Sequence, residues 1–518
     1  MTDTDPTRLA SLDHAHVWHP FTPMRQWRQA PPMIIERGEG QYLIDTEGRR
    51  YLDGVSSLWC NIHGHRVPEL DDAIRQQLDK IAHTTLLGMS SPPAIEFAAQ
   101  LVERVNHNIP RTPHVNTVPP TTHNAGAPHS HAVFDQTPCR LNKVFYSDAG
   151  STAVEVAFKM AVGYWYHNGR PEKNKFIGLA GAYHGDTAGS MSVGFSELFH
   201  KPFVSMVFDI TNFPSPDALR LPEDLIHIPS AQPDSHTSGE NTWPSEDPRI
   251  QQALTDHCLS ELEATLDRQA EQTAAIVIEP IMQGAAGMIC QPPGFLQRVG
   301  QLARDYNVLL ICDEVATGFG RTGSMFAFEQ ELGDTFQGPD ILCLAKGISA
   351  GYLPLAATIC TDAIEDAFCG PPEARKTLYH GHTYTGNALA CATAIASLDL
   401  FDRPHGDSAD LITHTQASAR LIADKLDALR GHQHILDIRQ RGLMVGIELG
   451  KRHADGSVEP FDFSKRTGYA ICDRLREQGL IIRPLGDVLV LMPAPAMPHD
   501  LLAQMLDLVV ETLTHWVF

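Results

Sequence analysis

Two stretches decide the fold: Asn307-Val-Leu-Leu-Ile-Cys-Asp313-Glu314 and Asp340-Ile-Leu-Cys-Leu-Ala-Lys346. Each holds an apolar run of the length of one buried strand, and each ends in a charge. A charge at the end of a buried strand is costly unless it is paired or chemically used. Set at the carboxyl ends of two strands, an amine and a carboxylate can face one pocket. That arrangement suits pyridoxal phosphate (PLP), whose aldehyde bonds a lysine amine and whose pyridinium nitrogen an aspartate keeps protonated. Taken alone, the two charges read more simply as ordinary strand ends. The rest of the chain shifts that balance.

Working outward, strand-like and helix-like segments alternate. Lys143-Val-Phe-Tyr-Ser147 reads as a strand and 152–165 as a helix, with Val154, Ala157, Phe158, Ala161 and Trp165 at helical spacing. Strands follow at 176–179 and 274–279, and a helix over 295–306 feeds the Asp313 strand. This order predicts an α/β fold with a mostly parallel sheet covered by helices. From about residue 408 the character changes. A polar amphipathic helix over 417–429, Ile435-Leu-Asp-Ile-Arg439, Gly442-Leu-Met-Val-Gly-Ile-Glu448 and a closing helix from His499 predict a smaller α+β domain. Near the start, Gly40-Gln-Tyr-Leu-Ile-Asp45 and a Glu47-Gly48 turn read as a hairpin, joined either to the C-terminal domain or to a partner subunit. The expected division is a large domain over 66–390, with 1–65 and 408–518 forming the small one.

Two polar stretches, about 106–137 and 231–248, read as surface insertions with too little apolar content to pack. The first holds His107, His114, His123, His129 and His131, whose spacing matches no metal-ligand pattern, so no metal is expected. The chain has 518 residues, 43% apolar and 20% charged, which describes a soluble globular protein. A net charge of −22, from 40 basic and 62 acidic side chains, argues against nucleic acid or an anionic membrane as main partner. No secretory signal and no membrane-spanning run is evident. Ten cysteines without a Cys-x-x-Cys pair, several of them in apolar runs, suggest a reducing cytoplasm.

Four further motifs bear on chemistry. Ser147-Asp-Ala-Gly150-Ser151-Thr152 joins a strand to a helix, a ready phosphate site, although a plain N-cap by Ser151 fits as well. Tyr183, in Gly181-Ala-Tyr183-His184-Gly185-Asp186-Thr187, can stack on a flat ring or serve as a structural loop tyrosine. Gly318-Phe-Gly320-Arg-Thr-Gly323 spells the dinucleotide pattern, but it neither directly follows a strand nor opens a helix. A mobile active-site loop presenting Arg321 fits better. Arg483, after an apolar run, can anchor a carboxylate or lie idle at the surface.

These motifs resemble the class III aminotransferases, fold type I PLP enzymes, over nearly the whole chain apart from the two insertions. Ile311-Cys-Asp313-Glu-Val-Ala-Thr-Gly-Phe-Gly-Arg321-Thr-Gly323 and Ile341-Leu-Cys-Leu-Ala-Lys346-Gly carry most of the resemblance. His16-Val-Trp18-His-Pro-Phe21-Thr, Ser56-Ser57-Leu58-Trp59, Tyr183-His-Gly-Asp-Thr187 and His380-Gly381-His382-Thr383-Tyr-Thr-Gly-Asn387 are similar to the branch that aminates 7-keto-8-aminopelargonate (8-amino-7-oxononanoate) in biotin synthesis. The resemblance implies that Lys346 bonds PLP and shuttles protons, while Asp313 pairs with the pyridinium nitrogen. It implies that Gly150 and Ser151 hold the phosphate, and that Tyr183 and Val315 flank the ring. Thr383, with Gly381 and His382, would reach the phosphate of a second subunit, so a homodimer is expected. Arg483 would bind the keto-acid carboxylate, Trp59 would line its chain, and Arg321 would sit at the mouth. Phe21, Leu58 and His382 depart from the commonest form of the branch, at the amino-donor side. S-adenosylmethionine is the expected donor, lysine the alternative, and another ω-aminotransferase activity (ornithine, GABA or a diamine) the nearest rival.

Overall fold

A computed structural model describes residues 5–109, 140–225, 243–453 and 457–518 of the chain. Its largest sheet has seven strands, in the order Leu141–Ser147, Ala356–Thr361, Ile341–Leu344, Leu309–Asp313, Thr273–Ile278, Lys175–Leu179 and Thr211–Phe213. The Ala356–Thr361 strand runs antiparallel to both its neighbours, and the other pairs are parallel. Continuous apolar runs form these strands because both faces are covered. Ile276, Ile278, Leu310, Cys312, Leu342 and Leu344 enter one core. Their alternating neighbours Ala275, Val277, Leu309, Ile311, Ile341 and Cys343 enter the other. The first core is closed by helices Pro92–Val105, Pro248–Gln269, Phe295–Asp305 and Ala388–Phe401. The second is closed by Gly150–His167, two residues longer at each end than the helical spacing predicts.

A second sheet pairs Ile435–Arg441, Met444–Leu449, Val488–Leu491 and Arg483–Leu485, all antiparallel. Helices Leu411–Leu426, Thr467–Glu477 and His499–His515 pack into its core. The N-terminal strands Ile35–Glu39, Tyr42–Asp45 and Arg50–Asp53 extend to Leu480–Ile481, which pairs parallel with the third. The hairpin therefore joins the C-terminal part of the same chain, and Leu52 enters the C-terminal core.

Of the two polar stretches, residues 106–109 and 243–248 are described, and both pieces pack. Ile109 is buried, and the Asn106 amide bonds the Leu141 carbonyl at 2.8 Å while accepting the Leu141 N–H at 3.2 Å. Residues 106–109 thus belong to the fold, and one side chain ties the two ends of the segment together. In the second stretch Trp243 is buried in the C-terminal core, and Ser245 donates to Asp437 at 2.9 Å. His114, His123, His129 and His131 lie outside the described residues; His107 follows the Pro92–Val105 helix. None of the described cysteines is paired, and no described helix is long and apolar enough to cross a membrane.

His63 makes folding acid-sensitive. Its Nε2 lies 3.0 Å from Ser397 Oγ, and its ring edges against Phe401. Burial, aided by nearby His405, lowers its pKa from 6.5 to about 3. The unfolded chain takes up this proton near pH 6.5 and the native one does not, so stability falls as pH drops below 6.5. Between pH 6.5 and 4.5 this one group costs the native state roughly 2–3 kcal/mol. Denaturant titrations of His63→Gln should show a shallower acid loss than the parent chain; equal slopes would remove His63 as a cause.

Candidate active site

The register of two parallel strands sets the site. Asp313 pairs with Cys343, so Asp313 and Lys346 leave the sheet at the same edge. The Lys346 backbone turns there with φ +44°, which sends its amine over the Trp59 ring, 5.1 Å from the centroid. Burial pulls the Lys346 pKa below its ordinary value, while Asp313 and Glu279 oppose that shift. A desolvated amine is more often neutral at a given pH, and so more nucleophilic.

Asp313 is buried and fully engaged. One oxygen accepts the Val315 N–H at 3.0 Å, and the other lies 2.7 Å from His184 Nδ1. Burial alone would lower the His184 pKa; the hydrogen bond and charge of Asp313, with Glu279 behind it, outweigh burial and raise it. That hydrogen bond orients Asp313, whose oxygens each retain a lone pair for a cationic partner. Glu279 ends the Thr273–Ile278 strand by the same rule as Asp313: a charge closing an apolar run. Burial pushes its pKa up, and its two oxygens accept the Tyr183 and Gly284 amides at 3.1 and 2.9 Å. Glu279 thereby fixes the loops behind Tyr183 and Trp59. Glu314 is likewise buried, accepts the Ala327 and Phe328 amides at 2.7 Å each, and is pushed up to about 8 by that burial.

The strand-to-helix turn supplies the anion site. Ser151 lies inside the helix instead of capping it: Ala149 is the N-cap, its own amide is taken by Thr152 Oγ1 at 3.1 Å, and its methyl side chain offers no acceptor to the first-turn amides. The first-turn amides are left open to an anion. Ser151 Oγ is 2.6 Å from Thr187 Oγ1 and accepts the Thr187 N–H at 3.0 Å. Gly150 is required by close approach, because a Cβ there would fall 2.5 Å from Val315 Cγ1.

The walls come from distant segments. Ser56, Ser57, Leu58 and Trp59 all have positive φ (49–75°), a left-handed turn without glycine. Such residues cost about 1–2 kcal/mol each, so neighbours must hold them. Asp53 accepts the Ser57 amide at 3.0 Å and its hydroxyl at 2.8 Å, and Ser56 Oγ donates to the Met492 carbonyl at 2.6 Å. The turn buries Trp59 and leaves Leu58 exposed. Phe21 is exposed, at φ +50°, with its ring edge-on to Phe199. Arg483 is exposed on the strand beside Val490, which packs with Trp59.

Arg321 overturns one expectation. It is 1% exposed and donates to Ser56 Oγ, the Pro493 carbonyl and the Asn61 carbonyl at 3.1, 2.8 and 2.7 Å. Its backbone carbonyl accepts the Leu443 amide at 2.8 Å. The glycine-rich loop is therefore a pinned clamp beneath the Trp59 turn, where the glycine spacing predicts a mobile active-site loop presenting Arg321. Gly381, His382 and Thr383 make no hydrogen bond to Lys346 or Ser151 within one chain among the described residues; Gly381 and Thr383 are exposed, and the Thr383 carbonyl meets His83 Nε2 at 2.8 Å.

The sequence profile of the family described as aminotransferase class-III matches residues 24–513. A relative from Geobacter sulfurreducens, named adenosylmethionine-8-amino-7-oxononanoate aminotransferase, is 41% identical over 99% of this chain and 98% of its own. One of the same name from Aquifex aeolicus is 41% identical over 98% and 97%. The crystal structure of the Methanocaldococcus jannaschii protein of that name superposes with TM-score 0.81 at 37% identity, covering 99% of this chain and all of that one. A PLP-bound amine transaminase from an uncultivated Pseudomonas species gives TM-score 0.78 at 30% identity over 96% and 98%. The chain belongs to the class III aminotransferases and has the fold type I architecture of PLP-dependent transaminases.

The residues present fit PLP: an open helix terminus for the phosphate, a buried carboxylate for the ring nitrogen, and a desolvated amine for the aldehyde. Gly150→Ala should weaken PLP binding at least about tenfold, because the new methyl collides with Val315. Val315→Ala in the same chain should recover most of that loss. Equilibrium dialysis measures both; unchanged binding in Gly150→Ala would remove this cradle.

Proposed function

We propose that this chain transfers the amino group of S-adenosylmethionine to 8-amino-7-oxononanoate, giving 7,8-diaminononanoate in biotin synthesis. The observation that carries the reading is the Lys346–Asp313–His184 arrangement beside a helix terminus whose N-cap, Ala149, has no side-chain acceptor for the first-turn amides. The substrate pair comes from the names of relatives that match this chain end to end.

PLP, when bound, supplies an aldehyde for amine exchange and a ring that accepts electrons. The rest falls to the chain's own residues. Lys346 Nζ would hold the cofactor through its aldehyde and, when free, would carry a proton to or from the substrate carbon. Asp313, hydrogen-bonded to His184, would pair with the ring nitrogen of the bound cofactor. Gly150 and Ser151 present amides to the phosphate, while Tyr183 and Val315 would close the two ring faces. Arg483 takes the keto-acid carboxylate, and Trp59 with Leu58 and Phe21 excludes water from the chain of either substrate. Donor and acceptor use one pocket in turn, which implies ping-pong kinetics.

We assign residues 66–390 to a large domain, carried on to Phe401 by the Ala388–Phe401 helix that packs into its core, and 1–65 with 408–518 to a small one, supported by the shared strand pairing at Leu52 and Asp53. The functional unit is a cytoplasmic homodimer, in which Gly381, His382 and Thr383 of a second copy complete the phosphate site. Leu78, Leu87, Met89, Ile95 and Tyr384 are exposed, and Tyr384, which directly follows Thr383, packs its ring on His83; these exposed apolar groups support the pairing.

The test is purified protein with 8-amino-7-oxononanoate and either S-adenosylmethionine or lysine. Diamine from the first donor supports the reading, diamine from lysine alone reassigns the donor, and no product from any donor removes the biotin assignment. Arg483→Ala should raise KM for the keto acid about tenfold or more and spare the donor half-reaction. An unchanged KM would take Arg483 out of the site.

A further inference from the structure

His200 ends the short Glu197–His200 helix and is 2% exposed. Its Nδ1 accepts the Ser196 amide at 3.1 Å. A backbone N–H can only donate, so the ring proton sits on Nε2. That Nε2 has no hydrogen-bond partner among the described residues. A buried donor without an acceptor costs about 1–3 kcal/mol, and such groups call for an explanation. Asp186 Oδ1 stands 3.8 Å away, just beyond bonding distance. The other Asp186 oxygen already accepts the Tyr183 hydroxyl at 2.7 Å. The Tyr183 and His200 rings lie nearly parallel, 17° apart with centroids 6.5 Å apart. Phe195 and Phe199 pack against the imidazole, and Phe21 edges against Phe199. The imidazole therefore backs both the Tyr183 wall and the Phe21 wall of the candidate site.

We propose that His200 is a positioning residue: its Nε2–H captures Asp186 and, through it, sets the Tyr183 ring against the bound cofactor. The inference rests on the PLP reading above and deepens it. A shift of about 1 Å brings Asp186 into bonding range. Asp186 then bridges two donors, the Tyr183 hydroxyl and the His200 imidazole, and the tyrosine loses its freedom to swing away from the ring face. The imidazole itself stays behind this pair and touches neither cofactor nor substrate.

Two substitutions separate this role from a purely structural one. His200→Gln carries an amide nitrogen where Nε2 stands and loses the acceptor for Ser196. His200→Asn keeps an acceptor for Ser196 and loses the donor toward Asp186. Both are read as holoenzyme, by the PLP dissociation constant from equilibrium dialysis and by the pH midpoint of the bound cofactor's visible absorbance. His200→Gln should bind PLP within about threefold of the parent chain, and His200→Asn about tenfold more weakly with a displaced midpoint. Asp186→Asn with His200→Asn should be no weaker than Asp186→Asn alone, since the two act in series. The reverse order, with Asn tight and Gln loose, would show that His200 merely holds its own turn and would overturn the proposal. So would parent-like behaviour in both variants. If the unmodified protein binds no PLP, the cofactor reading falls and this one with it; if it binds and His200→Asn is unaffected, this one falls alone.

Discussion

An amine held out of water within reach of buried carboxylates is the condition everything else serves. Lys346 is pulled toward neutrality by burial and back toward charge by Asp313 and Glu279. Neither influence could act if the strand ends were not adjacent, and parallel pairing of Asp313 with Cys343 makes them so. Two apolar cores on opposite faces keep water from the strands that deliver these groups. The fold thus pays once, in desolvation, for a nucleophile that solvent would otherwise protonate.

Support extends outward in layers. His184 stands behind Asp313, and Glu279 holds the loops of Tyr183 and Trp59 through backbone amides. Arg321 braces the left-handed turn that places Trp59, linking Ser56 and Asn61 to Pro493 through three hydrogen bonds. That turn is strained in every residue from Ser56 to Trp59. Strain persists only where surroundings over-determine the backbone, and a buried guanidinium with three acceptors does that. Segments from both chain ends therefore meet at the pocket, which couples packing of the C-terminal part to the shape of the substrate wall.

Much of this was legible in the sequence, for physical reasons. Doubly buried strands need unbroken apolar runs, so the Asp313 and Lys346 strands announced themselves. The strand-to-helix turn at Gly150 was legible because glycine, hydroxyls and a helical repeat coincide. Glu279 closes an apolar run in the same manner, and that rule applied evenly would have found it. His184 and Asp186 sat inside a quoted motif, but their partners are set by tertiary contacts. Arg321 was misread because glycine spacing suggests mobility, whereas the side chain anchors the loop from beneath. The Ser56–Trp59 turn was hidden because non-glycine residues at positive φ contradict local preference. Trp243 was lost in a polar window that diluted one buried indole.

The most direct measurement is borohydride reduction of the PLP-saturated protein, followed by proteolysis and peptide mapping. The account predicts a stable cofactor label on the peptide containing Lys346, and on the ε-nitrogen of that residue. A label on another lysine, or none on saturated protein, would contradict it.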